Sequence, residues 1–151
     1  MNVPGHIATS LVASSFLGYF LKSWQAAAAC LVGGILIDLD HLLDYCLHKK
    51  KMCWRYKDLY DYCIEEKQGR HYEIFHSYEL LLILWLLILY TWFNEIFFGF
   101  VFGMTVHILF DQLVNDVYPL AYFLICRMKY GFPKKIFHLD DFLRDFKGRE
   151  G

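Results

Sequence analysis

Four long apolar stretches divide the chain: residues 7–21, 23–37, 80–93 and 96–110, none containing Asp, Glu, Lys or Arg. Each is about fifteen residues long, against the roughly 20 that a membrane-spanning helix needs. Flanking residues extend them; residues 74–93 reach twenty with His76 and Glu79 inside. A fifth run, 117–126, is shorter and carries Pro119. The polar stretches are an insert at 48–70 and a basic-aromatic tail at 127–151.

This pattern predicts a single all-α domain over 1–151. It is an antiparallel bundle of four to five apolar helices, membrane-embedded or membrane-associated, with the polar insert between helices 2 and 3. A soluble all-α core is the alternative. Pro4 fits the first turn of the first helix. The N-terminus lacks the basic segment of a signal peptide.

Composition favours the membrane. The chain is 57% hydrophobic and 19% aromatic, with mean hydropathy +0.29, above an ordinary soluble domain. A net charge of -1 gives no reason to expect nucleic acid. The five cysteines include no CxxC pair; Cys30 and Cys126 read as small hydrophobes, and Cys46, Cys53 and Cys63 as reduced thiols, with zinc binding as the alternative at a spacing that fits no common motif.

The two charge runs carry aromatic neighbours, among them Trp54, Tyr56, Phe132 and Phe137. They are either a solvated face or a segment lying against anionic headgroups. The insert holds Lys49, Lys50, Lys51, Arg55, Lys57, Lys67 and Arg70, whereas the opposite turn holds Lys22. The positive-inside bias then puts the insert in the cytoplasm of a multi-pass inner or plasma membrane protein.

The ionisable residues are not scattered. In an up-down-up-down bundle, His6 starts helix 1 and Asp38, Asp40 and His41 end helix 2. His71 and His76 enter helix 3; His107 and Asp111 end helix 4. Short connections bring all of these to one end of the bundle. His107 and Asp111 are i,i+4 and share a face, and Asp38 and His41 are i,i+3. His71 and His76 are five apart, so His71 belongs to the loop before the helix.

Imidazoles and carboxylates in an apolar-walled pocket are ligands for divalent metal. The expected ligands are His6, Asp38, Asp40, His41, His76, His107 and Asp111. Asp44 and Glu79 are expected to orient ligating imidazoles. His71 is a ligand or a general acid. So many candidates exceed one tetrahedral ion and suit two, most naturally zinc, with manganese or iron as alternatives. No GxSxG elbow, P-loop or GxGxxG occurs.

The order "PGH" (His6), "DLDH" (Asp38, Asp40, His41), "HYEIFHS" (His71, His76, Ser77) and "GMTVHILFDQL" (His107, Asp111) resembles the YdjM-like membrane-bound metal-dependent hydrolases. The resemblance covers roughly residues 5–115. It implies a helical fold and ligand set similar to zinc-dependent phospholipase C and the fungal single-strand nucleases. It also implies two or three metal ions and cleavage of a phosphoester. The positions of that family's usual Arg and Thr hold Tyr72 and Phe75, and Ile37 stands where a Pro is usual.

Together these readings give a membrane-bound hydrolase. Metal-activated water attacks the phosphoester of a lipid or lipid-linked substrate. The alternatives are a membrane protein that binds or carries metal without catalysis, and a degenerate relative that keeps a structural metal.

Overall fold

The structure, a computed structural model, describes residues 3–50, 73–91, 93–114 and 120–132, together with 52, 55, 57–58, 61–62 and 118. Among these residues every regular element is a helix. They are α1 (Val3–Leu21), α2 (Trp24–Leu36), α3 (Leu39–Lys49), α4 (Tyr78–Tyr90), α5 (Glu95–Val114) and α6 (Leu124–Lys129). The chain forms two compact units. The first is Met1–Asp38 with His76–Asn115, and the second is Leu39–Phe75 with Asp116–Gly151.

In the first unit, α1 and α2 form a hairpin. Lys22 takes the left-handed conformation (φ 52°), and Ser23 caps α2 by accepting from the amide of Ala26 at 3.2 Å. The returning helix lies close because the facing residues are small. Ser14 Oγ donates to the Ala27 carbonyl at 2.8 Å. A Cβ on Gly18 would sit 2.8 Å from that of Ala27, and one on Gly34 would sit 2.6 Å from Ser10 Oγ. Ser10, Ser14 and Gly18 are four apart, so one stripe of α1 admits α2.

The tightest packing joins α2 to α5. A Cβ on Gly99 would lie 2.3 Å from the Ala26 carbonyl oxygen, one on Gly103 2.0 Å from that of Cys30, and one on Gly33 2.2 Å from that of Phe100. Partners climb together, 26 with 99 and 30 with 103, so α2 and α5 run parallel. The two backbones touch, which only glycine permits. This is how helices associate in lipid, where burying apolar area gives little and close van der Waals contact must serve instead. The sequence argument rests on antiparallel neighbours alone; the structure adds this parallel pair, which is not adjacent in the chain.

Helix α4 completes the unit. Ser77 caps it by accepting from Leu80 N at 3.4 Å. Trp85 Nε1 donates to Thr105 Oγ1 at 3.0 Å, so the indole N–H is satisfied against α5. Asn94 caps α5 through the amides of Ile96 and Phe97. The outward positions are as apolar as the core: Val12 is 70% exposed and Leu89 78%. Such a surface requires lipid or a partner.

By length and hydropathy, two stretches are able to cross a membrane: Trp24–Lys49, 26 residues at mean hydropathy 1.7, and Glu95–Val114, 20 residues at 1.6. The fifteen-residue estimate for the fourth run falls short because α5 starts at Glu95 and continues beyond residue 110 through Asp111 to Val114. Helices tolerate such residues when their side chains face inward to partners.

In the second unit, α3 buries Asp40, Asp44 and Tyr45. Tyr62 donates to Asp44 Oδ2 at 2.9 Å and meets Tyr45 edge-on at 5.4 Å. Arg127 corrects an expectation. The sequence makes it the start of the basic tail, but it lies in α6 and is completely buried. Its guanidinium donates to the carbonyl oxygen of Glu73. The remainder of the tail, 133–151, lies outside the described residues, as does most of the insert.

Candidate metal centre

The glycine stripe of α5 leads to the site. Gly99, Gly103, His107 and Asp111 recur every four residues, so the face that touches α2 ends in an imidazole and a carboxylate. Helix α2 ends at Leu36, and the chain turns at Ile37–Asp38 before α3 begins. Because the backbones touch, His107 reaches the last turn of α2, with Nδ1 2.7 Å from the Gly34 carbonyl oxygen. A carbonyl only accepts, so Nδ1 carries the proton and Nε2 keeps a lone pair.

That lone pair points into a cluster. His107 Nε2 is 3.4 Å from Asp38 Oδ1 and 3.5 Å from Asp111 Oδ2. His6 Nε2 lies 3.6 Å from Asp111 Oδ1, and His76 Nε2 3.9 Å from Asp111 Oδ2. The rings of His6 and His107 stack at 4.4 Å. His76 stands edge-on to His107 at 5.4 Å. His6, His76, His107 and Asp111 are buried, and the Asp38 side chain is 29% exposed.

Two sets of ligand atoms lie close enough to share an ion: His6, His107 and Asp111, and Asp38, His76 and His107. The donor set fits a divalent metal on two counts. His107 Nε2 is buried and makes no hydrogen bond in the structure. The separations of 3.4–3.9 Å are long for hydrogen bonds. They suit ligands of a common ion, since two atoms each about 2.1 Å from a tetrahedral centre lie about 3.4 Å apart. Asp111 offers Oδ1 toward His6 and Oδ2 toward His76 and His107.

Of the sequence candidates, the structure brings together His6, Asp38, His76, His107 and Asp111. It does not bring Asp40 and His41 into either set. Both belong to the second unit, which begins at Leu39 after the turn at Ile37–Asp38. Asp40 Oδ2 accepts from the amide of Phe75, the residue before His76. His41 Nδ1 lies 2.6 Å from Glu73 Oε1. Asp44 is bonded to Tyr62 rather than shown against a ligating imidazole. Glu79 lies half-buried in the first turn of α4. His71 falls outside the described residues.

Sequence reasoning missed Glu73 and Arg127. With Asp40 they hold segment 73–75, which leads into His76: Arg127 takes the Glu73 carbonyl, His41 its carboxylate, and Asp40 the next amide but one. Nothing local marks either residue, since both contacts join distant parts of the chain. The spacing G-x3-G-x3-H-x3-D was visible and marks where α5 meets α2.

No curated protein and no solved structure shows significant similarity to the chain. The family comparison does: the profile of the YdjM inner membrane protein family matches residues 1–132, and the chain belongs to that family.

Proposed function

We propose that the protein is a multi-pass membrane-bound hydrolase that uses divalent metal to cleave a phosphoester of a lipid or lipid-linked substrate. The observation that carries this reading is the gathering of three imidazoles and two carboxylates at one end of an apolar bundle, with their nitrogen and oxygen atoms at ligand-like separations. His6, His76, His107, Asp38 and Asp111 would hold the metal, zinc first and manganese or iron as alternatives. The two oxygens of Asp111, facing different imidazoles, are consistent with a pair of ions. Metal bound there supplies positive charge toward the phosphoryl oxygens and lowers the pKa of water.

The chain's own groups do the rest. The Gly34 carbonyl holds the His107 proton on Nδ1 and so keeps Nε2 basic. The apolar walls exclude bulk water and strengthen every charge interaction inside. Asp38, the most exposed of the five, lies where substrate enters. His71 precedes His76 by five residues and is either a further ligand or the acid that protonates the leaving oxygen. The basic insert argues that this end faces the cytoplasm. Transport of metal would call for ligands along a path through the bundle, whereas these sit together at one end.

The test is metal analysis of detergent-purified protein followed by assay on phosphomonoesters, phosphodiesters and phospholipids. About two equivalents of metal with phosphoester hydrolysis are expected. Metal without hydrolysis of any substrate would replace this reading by metal binding or a structural ion. Protein that holds no metal at any stage would end it.

A further inference from the structure

We propose that the two ions of the metal centre are inequivalent. The one at His6, His107 and Asp111 is held by the helices alone. The one at Asp38 and His76 is weaker and depends on contacts within the second unit that position His76. This inference rests on metal binding as proposed above and not on hydrolysis.

The inequality starts at His107. It belongs to both ligand sets, yet it has one lone pair to give. Its Nδ1 proton goes to the Gly34 carbonyl oxygen at 2.7 Å, which leaves Nε2 as the ligand atom. That nitrogen serves one ion, so one set at a time is complete. Distance does not choose between them: Nε2 is 3.4 Å from Asp38 Oδ1 and 3.5 Å from Asp111 Oδ2.

The other histidine of each set makes the choice. His6 lies on α1, is buried, and stacks on His107 at 4.4 Å. Its helix is fastened to α2 by the hydrogen bond from Ser14 to the Ala27 carbonyl. A donor carried on a packed helix is in place before an ion arrives, more so than one on a loop. His76 is buried as well, but its backbone lies in the bend before Ser77 caps α4. The chain enters the first unit from the second at that residue. With His107 committed to the first ion, Asp38 and His76 leave the second ion open to water or substrate. Asp38 is also the most exposed of the five ligands, at 29%.

What positions His76 lies just before it in the chain. The amide of Phe75, its neighbour, donates to Asp40 Oδ2. Glu73 is held twice: His41 Nδ1 lies 2.6 Å from its Oε1, and Arg127 donates to its carbonyl oxygen. Asp40, Glu73 and Arg127 are buried. All of these residues belong to the second unit. They act on His76 through the peptide chain, as positioning residues, and no member of the first ligand set adjoins them in sequence. Loosening them should therefore reach one ion and spare the other.

The experiment is zinc titration of the full chain in detergent after chelator treatment, read by calorimetry. The wild type should bind about two equivalents in two steps of unequal affinity. Asp40→Ala should weaken the second step about 10–100-fold and leave the first unchanged, which also shows that the bundle is intact. His41→Ala, at a side chain 28% exposed, should move the same step and serves if Asp40→Ala folds poorly. Asp40→Asn keeps an acceptor for the Phe75 amide and should restore the second step, a rescue that direct ligation by Asp40 would not allow. His6→Ala releases His107 to the other set, so the single ion that remains should respond to Asp40→Ala. Two equal steps, a single equivalent in the wild type, an equal shift of both steps, or no rescue by Asp40→Asn would overturn this inference and leave the metal centre standing. Protein that binds no zinc would remove both.

Discussion

His107 Nδ1 lies 2.7 Å from the carbonyl oxygen of Gly34, 73 residues away in the chain. This contact ties the backbone of one helix to a ring of another that belongs to both candidate ligand sets. It exists because Gly103, one turn earlier, carries no side chain to hold the two helices apart.

Gly103→Ala should therefore harm both stability and site. Its Cβ would meet the Cys30 carbonyl oxygen at 2.0 Å, a backbone atom with nowhere to go. Overpacking of this kind costs about 1–3 kcal/mol or more. Thermal unfolding in detergent should show the loss, and bound metal should fall with it. Gly18→Ala, whose closest clash is with the Ala27 Cβ at 2.8 Å and whose nearest backbone atom is at an ordinary 3.6 Å, should be milder.

His107→Ala should abolish metal binding, because His107 belongs to both ligand sets. Asp111→Ala should do the same, since three imidazoles face it. Asp38→Ala, at a half-exposed carboxylate, should weaken binding while leaving a detectable metal complement. Metal per chain, by elemental analysis of protein purified without chelator, reads all three.

Asp40→Ala should lower metal affinity about 10–100-fold without removing a ligand. It frees the amide of Phe75 and so loosens the segment that leads to His76. Asp40→Asn retains an acceptor oxygen and should recover most of the affinity. Competition against a chromophoric chelator distinguishes this from direct ligation, in which both variants would fail alike.

Arg127→Ala should destabilise the second unit. A hydrogen bond from a charged donor to the buried Glu73 carbonyl is worth about 1.5–3 kcal/mol. Arg127→Lys should not restore it, because an ammonium lacks the planar fork of a guanidinium. Chemical denaturation followed by tyrosine fluorescence is the measurement.

Cys53, within the basic insert, should resist an impermeant thiol reagent in intact cells and react once the membrane is opened. Ready labelling of intact cells would place the insert and its lysines outside.

Much of this fold could be read from composition and spacing. Four uncharged runs, two pairs joined by short turns with a polar insert between the pairs, mark the helices, and the distribution of His and Asp marks the end at which they meet. His107 and Asp111 were legible because i,i+4 on a helix leaves one geometry. Asp38 and Asp40 were not separable, because the break between α2 and α3 that divides them between the two units is announced by no Pro or Gly at that point. The clamp of Arg127 and Glu73 was hidden for another reason. It joins residues 54 apart, and pattern reasoning sees only what periodicity or short loops bring together. The parallel contact of α2 with α5 lay between: Gly33, Gly34, Gly99 and Gly103 were in plain view, but their meaning required knowing which helices are neighbours.

The backbone contact of α2 with α5 also divides the site mechanically. Two helices with touching carbonyls and Cα atoms cannot slide past one another without a clash, so any load on this unit tilts them as one rod. Asp38, in the turn after one, and His107 and Asp111, on the other, ride that rod at a fixed spacing. His6 arrives on α1, which meets α2 through serine and glycine side-chain contacts, and His76 arrives from the turn before α4. The candidate site thus has a fixed jaw of three residues, and any adjustment falls to the two outer histidines.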